Sequence, residues 1–324
     1  MSYKNKVIAL SSALVALLLI YAAGLVFSPE RFAARSESAR LLAGSAADAA
    51  SVSLGGAAGE AELVFRKDSG TWSLADQGQA LPVQGARVEA FLGAVAGITR
   101  LSLRSDGSGG AAALAAYGLD EGKGHRVIIR GADGKLLADF MAGGYGPTGD
   151  EVYVKRGSAA AIYATDAGFA SYLGQTRSSW LDLRVFPSPI KPDDVQGLSM
   201  NARLPLDGPG KPLTVAEWQA TRKDGGWTGP GPALQTVAVE SVLRSVLNLE
   251  GEDIASLPPP DAFASISGSI TLDLSSGAKR VVEIGKAAGN NRFYVRAQGS
   301  AWVYEVESYT LKNIARPASA LAGK

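Results

Sequence analysis

The sequence predicts an α+β fold in which two tandem repeats follow an N-terminal transmembrane helix. Three observations predict this fold. An uncharged apolar stretch, Val7–Phe27, lies near the start of the chain. After residue 45, one set of short phrases occurs twice in the same order. In each set, alternating strand patterns surround one helical pattern, which indicates an antiparallel-rich sheet with one main helix and a short helix.

The apolar stretch is the first element. Its 21 residues would span about 31 Å as a helix, close to the hydrocarbon thickness of a bilayer. A cleavable signal peptide usually has a shorter apolar region, and the phrase YAAG at Tyr21–Gly24 imitates a cleavage site. We predict a retained anchor over residues 1–27, with cleavage as the alternative. Long domains are translocated largely regardless of flanking charge, so we expect the remaining chain outside a bacterial inner membrane, in the periplasm.

Two repeated phrases predict equivalent β-hairpins. The phrase RKDSGTW at Arg66–Trp72 returns as RKDGGW at Arg222–Trp227, with Asp-Ser-Gly or Asp-Gly-Gly supplying the turn. The stretch Val152–Asp166 matches Phe293–Glu307 without a gap at an offset of 141. Strands are also predicted at HRVIIR and SITLDL, where apolar and polar residues alternate, with turns at GADGK and SSGAK. These matches indicate duplicated domains.

A helical pattern recurs between the hairpins. The spacing i, i+3, i+4, i+7 is typical of one buried helix face, and it occurs twice at an offset of 151. The two sets are Val88, Phe91, Leu92 and Val95, and Val239, Val242, Leu243 and Val246. Short amphipathic segments, GFASYLG and YTLKNIA, follow the last hairpin of each copy and predict the short helix.

These matches predict four parts of the chain. Residues 28–46 are a polar linker or short helix that follows the anchor at residues 1–27. The first repeat covers residues 47–186 and the second covers residues 187–324. The boundary falls in Leu183–Gly197, whose prolines oppose regular structure.

Composition limits the functions open to the chain. There are 32 Lys and Arg against 31 Asp and Glu, with no basic stripe, so nucleic acid is not an expected partner. The absence of cysteine excludes disulfides, thiolate nucleophiles and the acylated cysteine of a lipoprotein. His125 is the only histidine, which limits any catalytic triad or histidine-based metal site.

Several residue groups resemble functional sites, and each has a simpler structural interpretation. The Gly-rich stretch Ala142–Glu151 lacks the order of a phosphate-binding loop, so we predict a loop between strands. The carboxylate pairs Asp193 with Asp194 and Glu250 with Asp253 suit a hydrolase, but such pairs are also common in turns and caps. His125 is interpreted as a strand residue. We therefore predict no catalytic, cofactor-binding or metal-binding residues, and a carboxylate-based hydrolase is the least favoured function.

The tryptophans are interpreted in the same way. Recurrence at equivalent positions favours a packing role for Trp72 and Trp227. Trp302 stands where the first copy has Ala161, which makes Trp302 the best candidate for a contact specific to the second copy.

The chain resembles the bacterial family known as domain of unknown function 4340, across nearly all residues after 45. The resemblance rests on several motifs in order: the openings Asp48–Leu54 and Lys191–Met200, the Trp hairpin, the YGL phrase at Tyr117–Leu119, the strands Tyr153–Lys155 and Tyr294–Arg296, and the bridge Trp180–Pro187. The second copy departs from the pattern because it lacks YGL and inserts Leu204–Leu213.

This resemblance implies a membrane-anchored extracytoplasmic protein without known enzymatic activity, often linked to gliding-type ABC export systems. We therefore expect a non-enzymatic interaction or scaffold protein, an accessory component of an ABC-type transport or envelope complex. Its partners would be the membrane and other membrane or envelope proteins, with no cofactor. The alternative is a periplasmic module that binds envelope glycan, peptide or lipid.

Overall fold

The structure, a computed structural model, describes residues 14–18, 21, 40–57, 60–186, 189–205, 211–230 and 233–322. Within them the chain is mostly antiparallel β-sheet, arranged as one sheet of nine strands and one of eight.

The first sheet has the strand order β4-β3-β2-β1-β6-β7-β8-β9-β5. The ladders that join β1, β6, β7, β8 and β9 in succession are all antiparallel. Its strands are β1 (Ala49–Gly55), β2 (Leu63–Asp68), β3 (Thr71–Asp76), β4 (Gln79–Pro82), β5 (Ser102–Ser105), β6 (His125–Gly131), β7 (Leu136–Tyr145), β8 (Glu151–Arg156) and β9 (Ile162–Asp166).

The second sheet has the order β12-β11-β10-β14-β15-β16-β17-β13. Read by position, this is the order of the first sheet without β4. Its strands are β10 (Val195–Leu204), β11 (Thr214–Lys223), β12 (Gly226–Thr228), β13 (Asp253–Ile254), β14 (Gly268–Leu274), β15 (Lys279–Gly289), β16 (Arg292–Ala297) and β17 (Tyr304–Glu307).

From residue 40 onward, the described part of the chain has five α-helices: α1 (Gly85–Ala96), α2 (Gly110–Ala116), α3 (Thr236–Leu247), α4 (Ser308–Ile314) and α5 (Ala318–Leu321). The two predicted helix faces are confirmed, since the buried residues of α1 and α3 are the two apolar sets at the offset of 151. Each sheet buries alternate residues on one face, here called the inner face, and leaves the opposite outer face more exposed. The core therefore lies along the inner faces.

The Trp hairpins are confirmed, but their shared letters are one residue out of register. The turn residues with positive φ are Ser69 and Gly70 in the first hairpin, and Asp224 and Gly225 in the second. Positive φ at both central positions is the geometry of a two-residue hairpin loop. Counted from these turns, the structural equivalent of Arg222 is Lys67, because each lies two residues before its turn.

The predicted α+β fold class is wrong, because the described chain has less helix than the prediction requires. The described chain is mostly sheet, and the short closing helix of the first copy is only a single 3-10 turn, Ala170–Tyr172. Gly168 and Gly174 flank that turn, and Gly174 adopts φ +67, so the α-helix does not extend. Helix α2, in contrast, has no counterpart in the second copy between α3 and β14.

The predicted transmembrane helix is not seen. Among the described residues, no helix combines the length and the apolar character needed to cross a membrane. The anchor predicted at residues 1–27 lies outside the described residues except for 14–18 and 21. Within residues 28–46, Leu41 and Leu42 are buried, and the Ala43 N–H donates to the Leu137 carbonyl at 2.8 Å.

Contacts divide the chain into two compact units. The first unit comprises residues 1–72 and 85–175, and the second comprises residues 73–84 and 176–324. Residues 73–84 join the second unit through the backbone: the Gln84 N–H donates to Trp180 at 2.8 Å, and the Asp182 N–H donates to Pro82 at 3.0 Å.

Candidate binding surface

A row of polar residues crosses the outer face of the second sheet. Asn201 on β10 pairs with Ser269 on β14, which pairs with Glu283 on β15, which pairs with Arg296 on β16. Directly paired residues lie on the same face of a sheet, so these four side chains form one line across four strands. On the other side, Asn201 pairs with Glu217 on β11, which extends the row to a fifth strand.

The charged members of this surface are matched with one another. Arg203 donates from Nε to Glu217 at 2.7 Å, and this hydrogen bond raises the pKa of Arg203. Arg296 donates from Nε to Glu283 at 2.7 Å, and its guanidinium lies 4.0 Å from the ring centre of Phe263. Because each cation has a carboxylate partner, neither sign of charge dominates.

An open groove of about 550 Å³ lies over one end of the row. Its lining includes Asn201, Arg203 and Glu283 together with the segment Ser265–Ser269, which contributes three serines. The segment is fixed in place because the Arg203 N–H donates to the Ser267 carbonyl at 2.9 Å and the Ser267 N–H donates to Ile284 at 2.8 Å. Hydroxyl, amide and paired ionic groups therefore face a space large enough for a small ligand or a partner side chain.

The first sheet has a groove at the equivalent position. Gly55 on β1 pairs with Arg126 on β6, Arg126 with Met141 on β7, and Met141 with Lys155 on β8. The groove here measures about 280 Å³, and Gly55, Arg126 and two glutamates are among its lining residues. Arg126 binds Asp139 with both Nε and a terminal nitrogen, at 3.2 and 3.1 Å, which raises the pKa of Arg126. The duplicated fold thus presents the same outer-face position twice, with different chemistry.

A second repeated cluster links each Trp hairpin to its helix. In the first unit, Glu89 on α1 accepts hydrogen bonds from Lys67 at 2.8 Å and from Trp72 Nε1 at 2.7 Å. The Lys67 hydrogen bond is the main reason that the pKa of Glu89 lies below its usual value. Lys67 Nζ also lies 5.4 Å from the ring centre of Trp72, within the range of a cation–π contact.

The second unit repeats this cluster with one difference. Arg222 lies 5.1 Å from the ring centre of Trp227 and 3.9 Å from Glu240, the residue at the Glu89 position. Glu240 also approaches Arg244, at 3.7 Å. Within the described part of the chain, Nε1 of Trp227 is buried and has no hydrogen-bond partner.

His125 packs against a glycine. It is half-buried at the start of β6 and lines a small cavity with Tyr172, Leu173 and Gly174. A Cβ at Gly174 would lie 3.3 Å from Cε1 of His125, so the glycine makes room for the imidazole ring. The surroundings favour the structural interpretation of this histidine.

One carboxylate of each predicted pair, Asp193 or Asp253, forms an ion pair with an arginine. Arg222 donates to Asp193 at 3.4 Å, while Arg177 lies 3.0 Å from Asp253. The backbone of Glu250 bridges to Arg184. In the described ranges, no three or more histidine, aspartate and glutamate side chains come together in a group that could hold a metal ion.

The remaining candidates lie where packing or turns require them. Residues 142–145 end β7 and Glu151 begins β8, so a loop between strands is present, but it covers only residues 146–150 of the predicted stretch. Trp72, Trp227 and Trp180 are buried, whereas Trp302 is only half-buried.

Sequence reasoning missed the polar rows and the clusters around Glu89 and Glu240. The alternation of each strand indicates which residues face outward, but it does not tell which residues of other strands lie beside them. Glu89 and Glu240 share the offset of 151 with the apolar helix positions, and that recurrence was the available signal.

A family model described as Domain of unknown function (DUF4340) matches residues 72–265, which is more than half of the chain. The protein therefore belongs to this family. No curated protein and no solved structure matches the chain.

Proposed function

We propose that this protein is a non-enzymatic interaction protein that docks partner proteins on the outer faces of its two sheets. The observation that carries the proposal is the registered polar row Asn201–Ser269–Glu283–Arg296 beside an open groove. A surface of hydroxyl, amide and internally paired ionic groups suits the polar, hydrated contacts of a non-obligate interface. Duplication supplies two related faces, whose different charges would suit two different contacts.

The proposed setting is the bacterial inner membrane, with the repeats in the periplasm. Two sequence features support this part of the proposal: the apolar stretch Val7–Phe27 and the resemblance to proteins that accompany ABC-type export systems. The partners would then be components of such a transporter or of another envelope complex.

Photo-crosslinking tests the docking face directly. A photoreactive residue is placed at Asn201 in the full-length protein, which is expressed in a bacterium that carries the gene naturally and extracted in mild detergent. The matched control places the same residue at Val237 on α3, which is 76% exposed and lies outside the groove. We expect position 201 to crosslink to one or a few membrane proteins, identified by mass spectrometry, and position 237 to crosslink to none of them. The same products from both positions, or none from position 201, would contradict the proposal.

The groove itself favours a second candidate function, a module that binds envelope glycan, peptide or lipid. Asn201 and the serines of Ser265–Ser269 offer the uncharged hydrogen-bonding groups that a glycan requires. A ligand that binds the folded state raises the melting temperature by mass action. Fragments of purified envelope glycan should therefore stabilise the wild-type protein and fail to stabilise Asn201→Ala, whereas the docking proposal expects no shift in either.

A further inference from the structure

The cluster that links each Trp hairpin to its helix is closed in the first unit. The Glu89 carboxylate accepts hydrogen bonds from the Lys67 ammonium at 2.8 Å and from the Trp72 indole at 2.7 Å. Buried and half-buried polar groups are stable when they have such partners. The three polar groups of the first cluster thus satisfy one another, and none of them requires a ligand.

The second unit adds two charges of opposite sign around the same cluster. At the offset of 151, Arg244 stands on α3 where α1 has Gly93. Asp193 lies in the 3-10 turn directly before β10, and the 3-10 turn directly before β1, Ala46–Asp48, has Ala47 at this place. The second cluster therefore contains four charged side chains where the first has two, and its net charge stays at zero.

These four charges do not close on one another as the first cluster does. Glu240 lies 3.9 Å from Arg222 and 3.7 Å from Arg244, and both distances are longer than a hydrogen bond. Arg222 contacts Asp193 at 3.4 Å, but the Asp193 side chain is 95% exposed, so this contact contributes little. Among the described residues, both arginines and both carboxylates therefore keep hydrogen-bonding capacity for a further group.

The four side chains line one groove of the second unit. Its volume is about 310 Å³, and Pro192 and Leu243 complete its lining. Arg222 is held in place there, because its guanidinium lies 5.1 Å from the ring centre of the buried Trp227 and its side chain is only 22% exposed. A cation that is already fixed loses little conformational freedom when a ligand binds to it.

We infer that this groove binds a small zwitterion, whose anionic oxygens contact Arg222 and Arg244 and whose ammonium group contacts Glu240 and Asp193. A guanidinium group presents a planar fork of N–H donors that matches carboxylate and phosphate oxygens. An ionised carboxylate only accepts hydrogen bonds, and an ammonium group only donates them. A ligand with a single charge would satisfy half of the groove and would be repelled by the other half.

Two sources supply this chemistry: a free zwitterion such as an amino acid or phosphoethanolamine, and the phosphoethanolamine headgroup of a lipid. The inference is independent of the proposed docking faces, because none of the four charged residues lines an outer-face groove of Asn201 or Arg126. It is also specific to the second unit, since Asp193 and Arg244 have no charged counterpart in the first.

Calorimetric titration of the full-length protein in a nonionic detergent tests the inference. The zwitterionic probes are glycine, O-phosphoethanolamine and dihexanoylphosphatidylethanolamine. At least one of them should bind, and the matching ions of single charge, acetate, inorganic phosphate and ethylammonium, should bind more weakly by roughly tenfold or more at the same ionic strength. Tighter binding of the lipid than of O-phosphoethanolamine would identify a lipid headgroup as the source, and equal or weaker binding of the lipid would identify a free zwitterion.

Variants then locate the binding site. Arg244→Gly restores the residue type of the first unit and should weaken binding by roughly tenfold or more, because one guanidinium is lost. Arg244→Gln should weaken binding as well, and it keeps a residue that favours the helix, so it separates the loss of charge from a change in α3. Arg104→Gln removes an exposed arginine of the first unit, which pairs with Glu151, and should bind as the wild type does.

Three outcomes would overturn the inference. They are no binding of any of the three zwitterions, wild-type binding by Arg244→Gln, and equal binding of a zwitterion and its matching ion of single charge. Circular dichroism of each variant establishes that the fold is retained, so a loss of binding is not a loss of structure.

Discussion

The two recurring tryptophans should respond differently to the same substitution. Trp72→Phe removes an indole N–H that donates to Glu89 at 2.7 Å. Trp227→Phe removes an indole N–H that is buried without a hydrogen-bond partner among the described residues. Both substitutions remove the same ring atoms from a site that is 3–4% exposed, so the loss of packing is similar in the two cases.

The expected difference follows from the hydrogen bonds. A hydrogen bond to an ionised acceptor contributes about 1.5–3 kcal/mol, and the 42% exposure of the Glu89 side chain places this one near the lower value. A buried donor without a partner costs about 1–3 kcal/mol, which Trp227→Phe would recover. We therefore expect Trp72→Phe to lower the free energy of unfolding by about 2.5–4.5 kcal/mol more than Trp227→Phe does.

The structure also supplies a reason for the difference. Glu240 approaches Arg244, one helical turn further along α3, at 3.7 Å. At the offset of 151, the residue that corresponds to Arg244 is Gly93, which has no side chain to compete for Glu89. Arg244→Gly should release Glu240 toward Trp227 Nε1, and Trp227→Phe should then become more destabilising in that background than in the wild type.

Urea unfolding followed by far-ultraviolet circular dichroism measures these differences without relying on tryptophan fluorescence. Because the chain has two compact units, each free energy is taken from the transition that the substitution shifts. The difference should also depend on pH. The depressed pKa of Glu89 stabilises the fold above the unfolded pKa of 4.5, and this stabilisation is lost as pH falls through the lower folded pKa. Equal losses for the two variants at pH 7, or a difference that does not shrink between pH 7 and pH 2, would refute the reasoning. The part that comes from the Trp227 N–H, which has no partner among the described residues, should remain at pH 2.

Three further predictions concern other sites. Arg177→Ala should lower the free energy of unfolding by about 2 kcal/mol, because it leaves the largely buried Asp76 and Asp253 without their cation. As a control in the same urea titration, Arg104→Ala breaks an exposed pair with Glu151 and should cost less than about 1 kcal/mol. Burial raises the pKa of Tyr304 to about 12, so its contribution to stability is complete below the unfolded pKa of 10 and is lost as pH rises toward 12. Between these two pH values, the free energy of unfolding of the wild type should fall by about 2–3 kcal/mol more than that of Tyr304→Phe. Parallel curves of unfolding free energy against pH would contradict the assignment. Gly143→Ala would place a Cβ against the Tyr117 carbonyl and should lower the melting temperature, whereas Gly93→Ala in α1 has open space and should raise stability by about 0.5–1 kcal/mol. A tolerated Gly143→Ala would show that the Tyr117–Leu119 segment shifts easily.

Local patterns predicted much of the described fold. The apolar sets of α1 and α3 followed from helical periodicity, and the turns at Ser69–Gly70 and Asp224–Gly225 followed from residues that tolerate positive φ. These features depend on neighbours within a few residues, which is why sequence reasoning reaches them. The predicted closing helix of the first copy failed for an equally local reason, the glycines on both sides of Ala170–Tyr172.

The candidate surface required the tertiary structure. The row Asn201–Ser269–Glu283–Arg296 depends on the register of three ladders, and a shift of one residue in any ladder would turn a strand's polar side chains to the other face. Strand alternation alone does not specify that register. The hydroxyl of Ser256 hydrogen-bonds to Asp76 and Arg177, residues up to 180 positions away in the sequence. No local pattern indicates these contacts.

The sequence by itself determined that one unit is repeated, and which residues of each copy form the buried helix face and the hairpin turns. These features depend on short-range periodicity and on backbone preference. Only the tertiary structure decided which cationic side chain contacts each tryptophan ring, and whether the indole N–H has a hydrogen-bond acceptor. The letters RKD suggest that Arg66 matches Arg222, yet the turn geometry places Lys67 there. Arg244 lies 3.7 Å from Glu240 on α3, whereas the corresponding position on α1 is Gly93, so the carboxylates of the two clusters contact different groups.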